Sequence, residues 1–155
     1  MDAIALLIQD HKRVRKLLNE LNDTNGEAVK TRRDLTEEIA TELKAHTQIE
    51  EEIFYPAYKQ ACNDAEDDKL YFEALEEHRA ARELVLPDLL NTDVESEQFS
   101  GRAKVLKELI EHHADEEEED MFPRAKEIFA IEDLNALGEE MEARRKELLS
   151  EEPAT

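Results

Sequence analysis

One segment of this sequence occurs twice, and the two copies lie 67 residues apart. The first copy runs from His46 to Pro56 and the second from His113 to Pro123. In each copy a glutamate follows the histidine by four residues, and an aromatic residue with a proline ends the segment. The same offset relates His11 to His78, so four of the five histidines form two matched pairs. This repetition predicts a duplicated helical hairpin folded around a shared site.

The composition favours helix over sheet. The chain has 155 residues, which suits one domain, and it contains only three glycines and four prolines. Leu, Ala, Glu, Lys and Arg dominate, and all five are good helix formers. The apolar positions recur at alternating spacings of three and four residues, which is the pattern of an amphipathic helix. The chain is therefore predicted to be all-α.

The apolar pattern divides the chain into five helices. Four helices of this length joined by short loops predict an up-down-up-down four-helix bundle. A short additional C-terminal helix is expected across one end of it. The halves, residues 1–63 and 64–130, should be related by a pseudo-twofold axis, within a single domain of residues 1–150 and a frayed tail of residues 151–155. The predicted helices run from Ile4 to Leu21, from residues 27–31 to Cys62, from Ala65 to Leu90, from Glu95 to Ala130 and from Asp133 to Leu149.

Prolines interrupt three of these predicted helices. A proline inside a helix lacks an N–H and clashes with the carbonyl four residues earlier, at a cost of about 3 kcal/mol. Pro56 and Pro123 occupy matched positions, so a shared bend is expected just after each repeated glutamate. Pro87 is expected to kink the third helix near its end.

The net charge of −21 excludes several classes of partner. Nucleic acids and anionic membrane surfaces both require cationic protein faces. No apolar run approaches the roughly 20 residues of a membrane helix, and the N-terminal residues do not form a signal peptide. A cytoplasmic location is therefore expected. The single cysteine, Cys62, excludes an internal disulfide and a thiolate metal site.

The repeated residues have the spacing of metal ligands. Residues four apart share one face of a helix, so His46 with Glu50 and His113 with Glu117 can each point at one place. His11 and His78 lie in the apolar stripes of the neighbouring helices. Imidazole and carboxylate without thiolate favour iron, manganese or zinc. The predicted metal ligands are His11, His46, Glu50, His78, His113 and Glu117.

The number of donors favours two ions. Two octahedral ions offer about twelve positions, and four histidines with two bridging glutamates fill about eight of them. A bridging oxo or hydroxo group would take two more and leave two for water, O2, peroxide or NO. A redox-active iron pair with open positions is a site for small oxidants, with manganese or zinc as possible substitutes.

His112 is an alternative to His113, because it has the same spacing to Glu116. The register with the first copy and the distance to Pro123 select His113. His112 is predicted to be exposed, although a role as a fifth ligand stays open. The other glutamates of the two segments, Glu51, Glu52, Glu116, Glu118 and Glu119, are predicted to form a solvated face.

With these motifs the chain resembles the hemerythrin-like proteins of the HHE cation-binding family over about residues 4–126. The resemblance implies a four-helix bundle with a carboxylate-bridged and oxo- or hydroxo-bridged di-iron centre. Members of this family bind O2 reversibly, sense oxygen, NO or iron, handle peroxide or help to repair iron–sulfur clusters. The matching residues are His11 in Gln-Asp-His, His46-x-x-x-Glu50-Glu with Tyr55-Pro56, His78 in Glu-Glu-His, and His113-x-x-x-Glu117-Glu with Phe122-Pro123.

The sequence departs from the oxygen-carrying hemerythrins at Ala74, where they have a fifth histidine. They also have an aspartate five residues after the last histidine, whereas this chain offers Glu117 at four. These differences favour sensing, redox or peroxide chemistry over simple O2 carriage. A peroxide-decomposing enzyme is one alternative, although no proton donor is evident and the aromatics are expected to be core or pocket wall. An iron-binding or storage protein, or a zinc-stabilised interaction bundle, is another, and a protein partner is unknown.

Overall fold

The computed structural model describes residues 1–62 and 64–151, and all regular secondary structure in these ranges is helical. The predicted all-α class is confirmed. Three π-helical turns, named π1, π2 and π3, interrupt the long helices. The elements are α1 (Ala3–Asn22), α2 (Val29–Ile49), π1 (Glu50–Phe54), α3 (Tyr55–Ala61), α4 (Ala65–Arg79), π2 (Ala80–Val85), α5 (Leu86–Leu90), α6 (Glu97–Glu116), π3 (Glu117–Met121), α7 (Phe122–Ile128) and α8 (Ile131–Glu151).

Each π turn joins two α-helices into one long helical segment, and these segments agree with the predicted helices to within a few residues. Side-chain caps fix where two of the segments begin. Asp64 accepts a hydrogen bond from the Asp67 backbone N–H at 2.8 Å, and Ser96 accepts one from the Phe99 N–H at 3.1 Å. Such caps satisfy amide groups that have no partner within the first helical turn.

The π turns lie where the prolines predicted a disturbance. Pro56, Pro87 and Pro123 are each the second residue of the α-helix that follows a π turn. In π1 the Tyr55 N–H binds the Glu50 carbonyl oxygen five residues earlier, which widens the turn. The wider turn relieves the clash between the proline ring and the preceding carbonyl. The prolines are therefore accommodated by an extra residue in the helix.

Consecutive segments run antiparallel, as their cross-helix contacts show. His46 in α2 binds Asp10 in α1, while Arg32 at the other end of α2 binds Thr24 just after α1. The later segments follow the same rule. Between the second and third segments, Tyr58 contacts Asp67 and Glu51 contacts His78. Between the third and fourth segments, Glu77 contacts His113, and Thr92, just after the third segment, contacts Arg102.

The apolar core consists of two clusters. The first includes Ile49, Phe54, Tyr58 and Phe122, and the second includes Leu18, Ile39, Leu43, Leu106 and Ile110. The four repeated histidines lie between these clusters, because they occupy the middle of the apolar stripes. Apolar packing on both sides of the polar residues stabilises the helices around them.

Helix α8 differs from its prediction in length and position. It has 21 residues, as many as α2, and is not a short addition. It lies along α1 in the same direction instead of across one end. Gly138 faces the start of α1, where an added Cβ would lie 2.7 Å from the Asp2 carbonyl carbon. Seven residues after Gly138, Arg145 binds Asp10, which is eight residues after Asp2. The missing side chain at Gly138 permits this close approach.

Of the predicted frayed tail, Glu151 is helical and residues 152–155 lie outside the described residues. None of the helices in the described part of the chain combines the length and apolar character needed to cross a membrane.

Candidate metal centre

The six predicted ligands meet in the middle of the protein. The four histidines come from four different helices, α1, α2, α4 and α6, and the two glutamates are the first residues of π1 and π3. Glu50 is fully buried and the other five are nearly so. Two groups of metal-ligating atoms result, which we name the first and second subsites.

The first subsite contains His11, His46, Glu50 and Glu117. One donor atom from each of these residues lies within 4.8 Å of the other three. His11 Nε2 is 3.1 Å from Glu117 Oε1, and His46 Nε2 is 3.1 Å from Glu50 Oε1. Two nitrogen and two oxygen donors therefore surround one small volume.

The second subsite contains Glu50, His78 and His113. His78 Nε2 lies 3.0 Å from Glu50 Oε1 and 3.1 Å from His113 Nε2. Glu117 Oε1 is 3.3 Å from His113 Nε2 and also contacts His11. Both glutamates thus lie between the two histidine pairs, where a bridging carboxylate would have to be.

Every one of the four histidines contacts a second acidic residue through its Nδ1 atom. Since an ionised carboxylate only accepts hydrogen bonds, each Nδ1 donates its proton to the outer carboxylate, and Nε2 is the atom that would bind a cation once it gives up its own proton. Such outer carboxylates hold the ring of a metal-bound histidine in place. The Nδ1 contacts are His11 to Glu118 at 2.8 Å, His46 to Asp10 at 2.9 Å, His78 to Glu51 at 2.9 Å and His113 to Glu77 at 2.7 Å.

The contacts of these four acidic residues with the histidines were not predicted from the sequence. Glu51 is 40% exposed, as predicted for a solvated face, and Glu118 is 28% exposed, but the carboxylate of each also binds a histidine. A signal was present, because Asp10 and Glu77 directly precede the first histidine of each half at the 67-residue offset. Glu51 and Glu118 directly follow the repeated glutamates at the same offset. In a chain with 41 acidic residues, this signal was hidden by composition.

Without a bound cation, the imidazoles and carboxylates of the site shift one another's pKa values strongly. Burial by itself lowers the pKa of His46, but the Glu50 carboxylate and the hydrogen bond to Asp10 outweigh burial and raise this pKa to about 10. Burial raises the pKa of Glu50, yet His46 and its other neighbours hold that pKa well below its usual value. Protonated imidazoles and ionised carboxylates therefore balance one another here.

Tyr55 brings a hydroxyl group into the centre. Its Oη donates to Glu117 Oε2 at 2.8 Å and lies 3.2 Å from His78 Nε2 and 3.3 Å from His113 Nε2. Burial and the nearby Glu117 carboxylate raise the pKa of Tyr55 well above its usual value, so the hydroxyl stays protonated. Tyr55 is fully buried in the first apolar cluster, as predicted for a core residue, and its hydroxyl also reaches the centre, whereas the matched residue Phe122 has no hydroxyl.

Two buried polar atoms of the site form no hydrogen bond, and they show whether the site fits metal ions. Among the described residues, Glu50 Oε2 and His46 Nε2 are both buried and form no hydrogen bond, since the Glu50 Oε1 atom 3.1 Å from His46 Nε2 does not have hydrogen-bond geometry. Buried polar atoms are rarely left unsatisfied in proteins. A cation with a preference for nitrogen and oxygen ligands would satisfy both atoms, so the donor set fits the predicted metals.

A cavity of about 20 Å³ lies beside the four histidines. Its walls include Val14, Leu43, Ala81, Ile110 and Ala114. This volume is about that of a single small molecule. A second cavity of about 10 Å³ lies beside Ala74, between Glu77, His113 and Glu117. The small alanine side chain thus leaves space next to the second subsite.

His112 lies outside both subsites. Its side chain is 63% exposed, and its Nε2 is 3.4 Å from Glu77 and 3.3 Å from Glu116. The prediction that His112 is exposed is confirmed, and the structure brings His113, not His112, to the other histidines.

Comparison with known proteins agrees with this geometry. The profile of the hemerythrin HHE cation-binding domain matches residues 2–125. Two mycobacterial proteins, Rv2633c of Mycobacterium tuberculosis and Mb2666c of Mycobacterium bovis, are each 31% identical over 141 residues, which cover 88% of this chain and 83% of theirs. The crystal structure of the Mycobacterium kansasii homologue of Rv2633c, described as a hemerythrin HHE cation-binding domain-containing protein, superposes with a TM-score of 0.83 at 30% identity. That likeness covers 97% of this chain and 88% of the other.

The chain therefore belongs to the hemerythrin HHE cation-binding domain family.

Proposed function

We propose that this protein holds two iron ions, bridged by an oxo or hydroxo group, and that this centre binds or reacts with O2, peroxide or NO. The observation that supports this most directly is the pair of adjoining subsites that share Glu50. Manganese or zinc could occupy the same donors. Sensing, redox chemistry or peroxide handling fits better than simple O2 carriage, because Ala74 replaces a fifth histidine and leaves space beside the second subsite.

We also propose the finer architecture. The four long helical segments form an up-down-up-down bundle, and its two halves arose by duplication. The repeated π turns support this, because π1 and π3 begin 67 residues apart and have the same length. The alternating directions of the segments support the bundle order.

Each histidine has a proposed role in this centre. His11 and His46 would hold one ion, His78 and His113 would hold the other, and Glu50 and Glu117, which lie between the two histidine pairs, would contribute a carboxylate to both. When bound, a pair of iron ions supplies electrons for two-electron redox chemistry. The four outer carboxylates hold the imidazole rings so that each Nε2 points inward.

Tyr55 would supply a proton at the centre, and the apolar cavity would admit small molecules to it. The Tyr55 hydroxyl oxygen lies 2.8 Å from Glu117 Oε2, to which it donates its proton, next to the second subsite. It is the buried proton donor that a peroxide-decomposing reaction would need. The apolar walls of the 20 Å³ cavity disfavour water and accommodate a small neutral molecule.

Metal content and visible absorption test the proposal. The protein is reconstituted anaerobically with Fe(II), freed of excess metal and then exposed to air. We expect about two irons per chain and near-ultraviolet bands of an oxo-bridged ferric pair. Absence of stoichiometric iron and of colour would contradict the proposal and favour a zinc-stabilised or metal-free bundle. Stable iron without reaction with O2, peroxide or NO would favour iron binding or storage.

Two neighbouring histidines provide a matched pair of variants. His113→Ala should lose iron, because it removes a donor from the second subsite, and should keep most of its helix because both apolar clusters remain. His112→Ala changes the adjacent, exposed residue and should keep both irons. The reverse result would show that the proposed ligand set is wrong.

A further inference from the structure

Helix α8 lies beyond the matched domain of residues 2–125, yet it contacts the metal centre through one side chain. Arg145 Nε donates to Asp10 Oδ1 at 3.0 Å. Asp10 is 2% exposed, and its other oxygen, Oδ2, accepts from His46 Nδ1 at 2.9 Å. A continuous hydrogen-bonded path therefore joins α8 to a proposed ligand of the first subsite.

The surroundings of Arg145 fix its position. The arginine is largely buried at 13% exposure and also binds Glu42 in α2. Arg13 contacts the same two acidic residues, Asp10 at 2.9 Å and Glu42 at 3.4 Å. Two arginines and two carboxylates thus form a closed network at the junction of α1, α2 and α8. The planar guanidinium group holds a carboxylate in a defined orientation.

Within the described residues of the second half, 64–130, no side chains form an equivalent of this network. Glu77 is the counterpart of Asp10, and its Oε1 accepts from His113 Nδ1 at 2.7 Å. Its Oε2 lies 3.4 Å from the exposed His112. Among the contacts of the described residues, none joins Glu77 to an arginine. Support by α8 is therefore specific to the first subsite.

We infer that Arg145 is a positioning residue for the first subsite, acting through Asp10 on His46. The inference rests on the proposed metal centre and adds α8 to the elements that build it. With Arg145 bound, Asp10 cannot rotate away from His46 Nδ1, and the His46 ring keeps its Nε2 directed at the cation. Without Arg145, the buried Asp10 loses half of its guanidinium partners, and the orientation of His46 is no longer fixed.

The test is a titration of the metal-free full-length protein with Zn2+, followed by calorimetry. The wild type should bind two ions in two resolvable steps. Loss of an outer partner typically weakens metal binding 10- to 100-fold. Because Arg13 remains, we expect Arg145→Gln to weaken one step about tenfold and to leave the other step unchanged.

Arg144→Gln is the matched control. It removes the same charge from the adjacent position of α8, where Arg144 binds Glu52 and Glu147 on the surface. Both binding steps should stay as in the wild type. Thermal unfolding of the three metal-free proteins then separates an effect on folding from an effect on the metal site.

A double-mutant cycle with Asp10→Asn tests the path. If Arg145 acts through Asp10, the Arg145→Gln change should have little further effect on Zn2+ affinity in the Asp10→Asn protein. Additive losses, equal losses in both steps, or an unchanged titration of Arg145→Gln would each overturn the inference. A wild type that binds no Zn2+ and no iron would instead overturn the proposed function, and the inference with it.

Discussion

Single carboxylates in this protein carry different roles according to the cation they meet. Some meet only histidines, some, such as Asp10, meet both a histidine and arginines, and others meet arginines without a histidine. Asp67 is the clearest example of the last kind, because it is nearly buried and accepts from Arg124 Nε at 3.1 and 3.2 Å. The Tyr58 hydroxyl also donates to it, at 3.3 Å. This group joins α3, α4 and α7 far from the metal ligands.

Asp67→Asn should destabilise the protein by about 1–2 kcal/mol at pH 7, because a buried hydrogen bond between charged groups is lost. Burial raises the pKa of Asp67, but the Arg124 guanidinium outweighs burial and lowers the pKa below its usual value. A carboxyl with a lowered pKa stabilises the fold above its unfolded-state pKa of about 4, and this stabilisation is lost as the pH falls. The difference in unfolding free energy from wild type should therefore shrink between pH 5 and pH 3, as measured by urea denaturation.

Glu66→Gln is the control, since Glu66 is an exposed acid in the same first turn of α4. Both substitutions remove one negative charge near the start of the helix, so the comparison cancels the helix-dipole contribution. Equal effects of the two substitutions at pH 7 would show that the Arg124 contact contributes nothing.

At the scale of elements, the three π turns allow prolines within long helical segments. A π turn contains one residue more than an α turn. The extra residue is contained within the turn, so the residues before and after it still point to the same sides of the helix as they would without it. In π3 the Phe122 N–H binds the Glu117 carbonyl oxygen, directly before Pro123. The turn therefore places a buried glutamate at its start and accepts a proline just after its end.

Deleting Glu119, an exposed residue of π3, should convert the turn to regular α-helix with both flanking faces retained. Pro123 would then lie inside an α-helix, and we expect a loss of about 3 kcal/mol in the free energy of unfolding. Adding Pro123→Ala to the deletion should restore most of this loss. Denaturant unfolding of the two variants measures both effects.

Pro123→Ala in the intact chain is the control and should change stability little, because the π turn already accommodates the proline. If the deletion is equally destabilising with and without Pro123, the π turn has a role other than accommodating the proline.

At the scale of the whole molecule, the protein places its polar centre between two apolar clusters and closes one side of it with α8. Leu134, Met141 and Leu148 of α8 belong to the first cluster. The helix can approach α1 closely only because Gly138 has no side chain. Packing of α8 thus contributes to the core and carries Arg145 to Asp10.

Gly138→Ala and Gly101→Ala should have opposite effects on stability. Alanine is the better helix former by about 1 kcal/mol, which favours both changes. At Gly101 nothing lies within 4 Å of an added Cβ, so this variant should be more stable by about 0.5–1 kcal/mol. At Gly138 the added Cβ meets the backbone of residues 1–3, and overpacking should cost about 1–3 kcal/mol. Thermal unfolding distinguishes the two signs, and a stabilised Gly138→Ala protein would contradict the close packing of α8.

Sequence periodicity and repetition determined much of this protein. Alternating spacings of three and four residues located the helices, since that period is a property of the α-helix itself. The 67-residue offset singled out four histidines and two glutamates, and the structure brings all six together. These properties depend on local geometry or on comparison of the chain with itself, so they can be read without coordinates.

Tertiary structure alone decided which neighbours these residues have. Periodicity shows that His46 faces inward, but it does not show that Asp10 meets its Nδ1 or that Arg145 holds Asp10. Neither the path of α8 along α1 nor the Tyr55 hydroxyl at the second subsite follows from a local pattern. The physical reason is that contacts between distant residues depend on how whole helices pack, and an amphipathic stripe specifies a face without specifying its partner.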